Sequence, residues 1–127
     1  MNKDRLGITV KEPLGIVATI SPFNFPLNLL VHKVGPAIAV GNTVVSRPAS
    51  EGALPALFLA KMFERADLLH GVLNIVSGPG SEVGTELVTN QRVSAITFTG
   101  DTIAWHEIAQ QAAKSNKLYL SSGGIIR

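Results

Sequence analysis

Apolar residues in this chain come in short bursts, each cut off by proline, glycine or a small polar residue. The first compact burst, Ile16-Val-Ala-Thr-Ile20, is rich in β-branched side chains and short enough for one buried strand. Ser21-Pro22 ends it, because proline has no N–H for a sheet ladder and pushes the residue before it towards extended geometry. Phe23-Asn24-Phe25 then forms a constrained corner between two prolines, and Pro26 suits the first turn of a helix. From Leu27 to Val40 the pattern predicts a mostly apolar helix, with a kink or restart at Pro36. Gly41-Asn42 ends that helix, Thr43-Val-Val45 reads as a second strand, and Arg47-Pro48 stops it.

The alternation continues. Leu54, Leu57, Phe58, Met62 and Ala66 lie at helical spacing, with Ser50 as the expected N-cap. Val72–Val76 is a third strand, and Gly78-Pro-Gly80 turns the chain into a helix over Ser81–Val88. Val93–Phe98 is a fourth strand, Thr99-Gly-Asp101 starts a helix marked by Ala104, Ile108 and Ala112, and Leu118-Tyr-Leu120 is a fifth. Upstream, Ile8-Thr-Val10 suggests a further short strand. Strands and helices that alternate this closely imply an α/β fold with an open parallel sheet and helices on both faces.

Composition narrows the class. The 127 residues are 46% hydrophobic and 16% charged, which argues for one well-buried domain and against disorder. A net charge of +2 with no dense Lys/Arg run gives no footprint for nucleic acid. No apolar run approaches the roughly 20 residues needed to span a bilayer, so no membrane contact is expected. The start carries no signal-peptide pattern, which makes the cytoplasm the default location. With no cysteine, disulfides, thiolate metal sites and a cysteine nucleophile are all excluded for this chain. His32, His70 and His106 are scattered without metal-ligand spacing.

Strands of such a sheet deliver their carboxyl ends to one rim, where ligands bind. Asn24 is therefore open to two readings. Asparagine between prolines is a good turn former, with aromatic neighbours that cover a core. An amide fixed at a rigid corner could equally donate to a developing oxyanion. Spacing does not decide between them.

The segment Ile20-Ser-Pro-Phe-Asn-Phe-Pro26 resembles a signature of the aldehyde dehydrogenase superfamily. Further motifs follow in that family's order: His32-Lys-Val-Gly-Pro-Ala37, Gly41-Asn-Thr-Val-Val45, Arg47-Pro-Ala49, Gly71-Val-Leu-Asn74, Gly78-Pro-Gly80 and Phe98-Thr-Gly100. The resemblance runs from about Val10 to Gly124 and covers an internal part of a longer family pattern. It implies a Rossmann-like sheet, incomplete relative to the full fold. Residues 15–127 would be a partial NAD(P)-binding domain, and residues 1–14 a lead-in from a truncated oligomerisation arm. It also implies NAD or NADP as cofactor and a small aldehyde as the parent's substrate. A homo-oligomeric or self-associating chain is expected.

Site residues carry over position by position. By resemblance, Ile20, Ser21, Pro22 and Phe23 flank the nicotinamide half of the cofactor, and Asn24 donates to the oxyanion of a cysteine thiohemiacetal. Arg47, Ala49 and Ser50 take the adenosine ribose, while Gly80 and Gly84 lie beside the adenine. Phe98, Thr99, Gly100 and Asp101 form the last cofactor corner. Several positions depart from the family pattern. Arginine replaces the usual lysine at Arg47, and its planar fork is not equivalent. Ser50 stands where NAD-specific relatives often carry glutamate, so NADP is expected to be tolerated and even preferred. Asp101 replaces a phosphate-binding serine, which makes it a better helix cap than a neighbour for an anion. Trp105 replaces a small glycine, and either packs on the sheet or narrows the groove. Ser121-Ser-Gly-Gly124 stands where Glu-Leu-Gly-Gly is usual, and serine cannot replace that glutamate as a general base. With no cysteine, the chain alone is expected at most to bind cofactor. The alternative is a non-catalytic remnant that serves as a structural or interaction module.

Overall fold

A computed structural model describes residues 6–121. Along the chain run β1 (Ile16–Ser21), α1 (Pro26–Ala39), β2 (Thr43–Pro48), a 3-10 turn (Ser50–Gly52), α2 (Ala53–Arg65) and β3 (Leu73–Ile75). A π turn (Gly80–Gly84) leads into α3 (Thr85–Thr89), followed by β4 (Val93–Phe98), α4 (Thr102–Lys114) and β5 (Leu118–Ser121). The five strands form one sheet in the order β3-β2-β1-β4-β5, and every pairing is parallel.

β1 is central because its residues are apolar or small on both sides, so the strand is buried through Val17–Ser21. In-register neighbours share a face, which sorts the core into two layers. Val44 packs with Leu30, Val34, Ala56 and Leu59 beneath α1 and α2. On the opposite face Ala18, Ile20, Ile96 and Phe98 pack with Leu87, Val88 and Ala112 of α3 and α4. Helices thus cover both faces, as the alternation predicted.

The first crossover is fastened by Asn42, which is 4% exposed. Its Oδ1 accepts from the Leu14 and Gly15 amides at 2.6 and 3.1 Å, and its Nδ2 donates to the Ala37 carbonyl at 2.9 Å. One side chain therefore joins the entry to β1 with the end of α1. Gly41 supplies the left-handed step (φ +87°) that turns the helix into β2.

Local expectations fail in four places. Ile8–Val10 forms no strand and is exposed throughout. α1 does not restart at Pro36, since it is one helix from Pro26 to Ala39; Pro36 and His32 are both exposed, so the carbonyl freed by proline can turn to water. Ser50 opens the 3-10 turn rather than capping α2, whose N-cap position is Gly52 with no side-chain bond. The expected helix over Ser81–Val88 begins as a π turn.

α2 brings the largest correction. The stripe Leu54, Leu57, Phe58 and Met62 faces away from the sheet, with Leu54 79% and Phe58 60% exposed. The sheet takes Ala56 and Leu59 instead, with Phe63 packed alongside. Both stripes are apolar at helical spacing, and periodicity alone cannot choose between them. The expectations placed on Met1–Arg5 and on Ser122–Arg127 lie outside the described residues. Among the described residues no helix is long and apolar enough to cross a membrane.

Candidate functional site

Four corners meet at the carboxyl rim of the sheet: residues 21–25 after β1, 49–50 after β2, 78–84 after β3, and 99–101 after β4. The strand order reverses between β1 and β4, so the first and last of these flank the switch point. Backbone bonds tie neighbouring corners together. The Thr99 amide donates to the Ile20 carbonyl at 3.0 Å, and the Ala49 amide to the Ser21 carbonyl at 2.9 Å.

In the β1 corner, Ile20 belongs to the core and the Ser21 hydroxyl is buried with no hydrogen-bond partner among the described residues. Pro22 is half-buried. Phe23 is 64% exposed and Phe25 more so, so neither ring covers a core. Phe25 is held at φ +51°, a left-handed conformation that costs a bulky residue energy. Asn24, half-buried between them, makes no side-chain hydrogen bond among the described residues. Its amide is thus free to meet a ligand.

Arg47, at the end of β2, is half-buried and folds onto the turn after β3. Its Nε and Nη2 both donate to the Gly78 carbonyl, at 3.3 and 3.1 Å. Ala49 is half-buried and Ser50 is exposed. Gly80 sits against the guanidinium, whereas a Cβ built on Gly84 meets nothing within 4 Å. Gly84 is itself buried, so it presents no open face at the rim.

In the β4 corner the Phe98 ring lies directly under Gly100, where an added Cβ would fall 2.4 Å from Cζ. Asp101 is the N-cap of α4; its carboxylate accepts from the Ala104 amide at 2.9 Å. Trp105 packs on the core cluster of that face and meets His106 edge-on at 4.5 Å, which resolves its two expected placements in favour of the sheet. Thr99 accepts a hydrogen bond from the amine of Lys33, at 2.5 Å.

A family model described as the aldehyde dehydrogenase family matches residues 1–125. The chain belongs to the aldehyde dehydrogenase family. A lactaldehyde dehydrogenase of Methanocaldococcus jannaschii is 44% identical over 126 residues, which are 96% of this chain and 27% of that protein. An aldehyde dehydrogenase C variant of Pseudomonas syringae, solved with NAD+ and octanal, superposes with a TM-score of 0.86 at 40% identity. That match covers 89% of this chain and 23% of the other. An E. coli NADP-dependent enzyme matches with the same TM-score and identity, over 89% and 24% of the two chains. This aldehyde dehydrogenase chain therefore spans about a quarter of the length of the relatives it matches.

Sequence reasoning gave Lys33 no role in this aldehyde dehydrogenase segment, yet it is 6% exposed and joins α1 to the β4 corner. A signal was present: Leu30, Lys33, Val34 and Ala37 follow the i, i+3, i+4, i+7 spacing of a buried stripe. Burial pushes the Lys33 amine down from its ordinary 10.5. Between that lowered value and 10.5 the unfolded chain binds more protons than the folded one, so stability rises as pH climbs through this window. Lys117 is also lowered by burial and Tyr119 is raised, and both contributions cancel when the wild type is compared with Lys33→Met. The stability of the wild type relative to Lys33→Met is expected to increase from neutral pH towards pH 10 in urea unfolding. A pH-independent difference would show that Lys33 is not held in a desolvated site.

Proposed function

We propose that this chain is the nicotinamide-dinucleotide-binding segment of an aldehyde dehydrogenase. Residues 15–127 form a partial cofactor domain and residues 1–14 a lead-in from an oligomerisation arm. The observation that carries the reading is the convergence of the strand-end corners on one rim, at the switch point, with the free Asn24 amide at one end and the exposed Gly80 beside Arg47 at the other.

The residues present fit an extended dinucleotide. The exposed Ser50 and the exposed Gly80 suit an adenosine end beside Arg47. The exposed Phe23 ring offers an apolar wall for the nicotinamide end. Asp101 is the poorest fit, because its carboxylate caps α4 and adds negative charge where a pyrophosphate would pass. When bound, the nicotinamide ring supplies a hydride acceptor for aldehyde oxidation. Asn24 donates its amide N–H to the substrate oxygen, where negative charge grows most in the transition state. No thiol nucleophile exists among the 127 residues, so this chain supplies cofactor binding and oxyanion contact rather than turnover.

Position 50 itself carries no carboxylate to repel a ribose 2′-phosphate, which favours NADP against the opposing charge of the neighbouring exposed Glu51. Calorimetric titration with NAD and NADP separately tests both levels of the reading. Saturable binding is expected, tighter for NADP. Arg47→Ala should weaken it about tenfold or more, the worth of a hydrogen bond from a charged group. Equal or stronger binding of NAD removes the preference. No binding by a folded chain removes the cofactor reading and leaves a non-catalytic module.

A further inference from the structure

We infer that Arg47 is a positioning residue as well as a ligand contact: its guanidinium carries the β2–β3 pairing past the end of the ladder and fixes the turn that walls the adenosine end of the groove. The functional part of this inference rests on the cofactor reading above; the structural part does not.

The ladder between β2 and β3 is short, with Val44, Val45 and Ser46 opposite Leu73, Asn74 and Ile75. Its last backbone bond runs from the Val76 amide to the Ser46 carbonyl at 2.9 Å. Among the described residues no backbone bond ties the next stretch, Ser77–Gly80, to β2. The side chain of the very next β2 residue takes over, as Nε and Nη2 of Arg47 converge on the Gly78 carbonyl.

Gly78 is built for that contact. Its φ of +153° is open to glycine and strained for other residues, and an added Cβ would lie 2.6 Å from Val83 Cγ2. This backbone conformation helps to aim the carbonyl at Arg47. Two residues on, a Cβ on Gly80 would sit 3.5 Å from Nη2, so the flat guanidinium packs against the turn as well as bonding to it. The turn closes on itself immediately afterwards, with the Glu82 and Val83 amides donating to the Pro79 carbonyl. Fixing Gly78 therefore fixes the turn at Gly80 relative to Ala49 and Ser50.

Arginine suits this double task. Of its five N–H groups, the Nε–Nη2 edge serves the turn, while both Nη1 hydrogens and one on Nη2 remain for a ligand. Lysine keeps the charge, but a compact ammonium offers no planar edge to lie against the turn while also serving the ligand.

Hydrogen–deuterium exchange on the ligand-free chain, paired with calorimetric binding of AMP, tests this in the wild type, Arg47→Met and Arg47→Lys. Exchange over residues 80–84 is expected to quicken about tenfold in Arg47→Met, the loss of a charge-assisted bond, with β1 unchanged. AMP affinity should fall by a similar factor, and Arg47→Lys should restore neither. Unchanged exchange in Arg47→Met, or full restoration by Arg47→Lys, overturns the inference and leaves Arg47 as a simple ligand charge. Faster exchange in a protein whose wild type binds no AMP would sink the cofactor reading while the structural role stands. If Arg47→Met does not fold, Arg47→Lys against the wild type gives the same decision.

Discussion

Ile96→Ala is expected to lower the unfolding free energy by about 4 kcal/mol, within the range found when a buried aliphatic side chain is cut to alanine. Ile96 is fully buried in the middle of β4, beside Ala18 on β1 and Tyr119 on β5. Its side chain joins Leu87 and Val88 of α3 with Ala112 of α4. Truncation leaves a void that neighbours on two helices and three strands cannot all move to fill. Since domains of this size are stable by about 5–15 kcal/mol, the loss removes a large share of the total. Urea unfolding should show a lower midpoint at an unchanged slope. Ile96→Val, which removes a single methyl group, should cost only about 1 kcal/mol. A loss below that for Ile96→Ala would mean that α3 and α4 do not pack on this face as described.

Gly100→Ala is expected to cost about 3 kcal/mol, at the upper end of ordinary overpacking. The added methyl would meet Phe98 Cζ, Cε2 and Cε1 at 2.4, 2.9 and 3.3 Å. The ring has nowhere to retreat, because Phe98 is 4% exposed and packed among Ile20 and Ile96. Either the ring leaves its place or the β4 corner lifts from the rim. The double variant Phe98→Leu/Gly100→Ala separates the overlap from the backbone. It should be more stable than the sum of the single losses, because a smaller side chain beneath position 100 makes room for the methyl. Strict additivity in thermal or urea unfolding would rule out the ring as the obstacle.

The parts of the fold legible in the sequence are those that residues encode through their own backbones. Pro22, Pro26, Gly41 and Gly78 act locally, so the end of β1, the start and end of α1 and the turn after β3 could be placed before any tertiary contact was known, whereas β2 runs on through Pro48 past its expected stop. Buried strands announced themselves as β-branched bursts, and their alternation with helices gave the parallel sheet. What stayed hidden depends on partners far along the chain. Lys33 and Thr99 are 66 residues apart, and Leu14 and Asn42 are 28 apart. No local pattern marks such pairs. The choice between the two apolar stripes of α2 belongs to the same class, since it is made by the sheet and not by the helix.

The site divides in the same way. Resemblance named the rim residues, and the capping tendency of Asp101 could be read from its place before α4. The freedom of the Asn24 amide and the packing of Trp105 needed the fold. So did the contact of Arg47 with Gly78, whose donor and acceptor lie on different strands.

The outward stripe of α2 also bears on how this chain would look in the laboratory. Leu54, Phe58 and Met62 lie open on a helix that is itself firmly seated. Dyes such as ANS, which brighten on exposed apolar surface, would bind the native chain. Their fluorescence alone would suggest a molten state, while near-ultraviolet circular dichroism would report fixed side-chain packing. For this protein, a bright dye signal at low temperature is a property of the folded molecule.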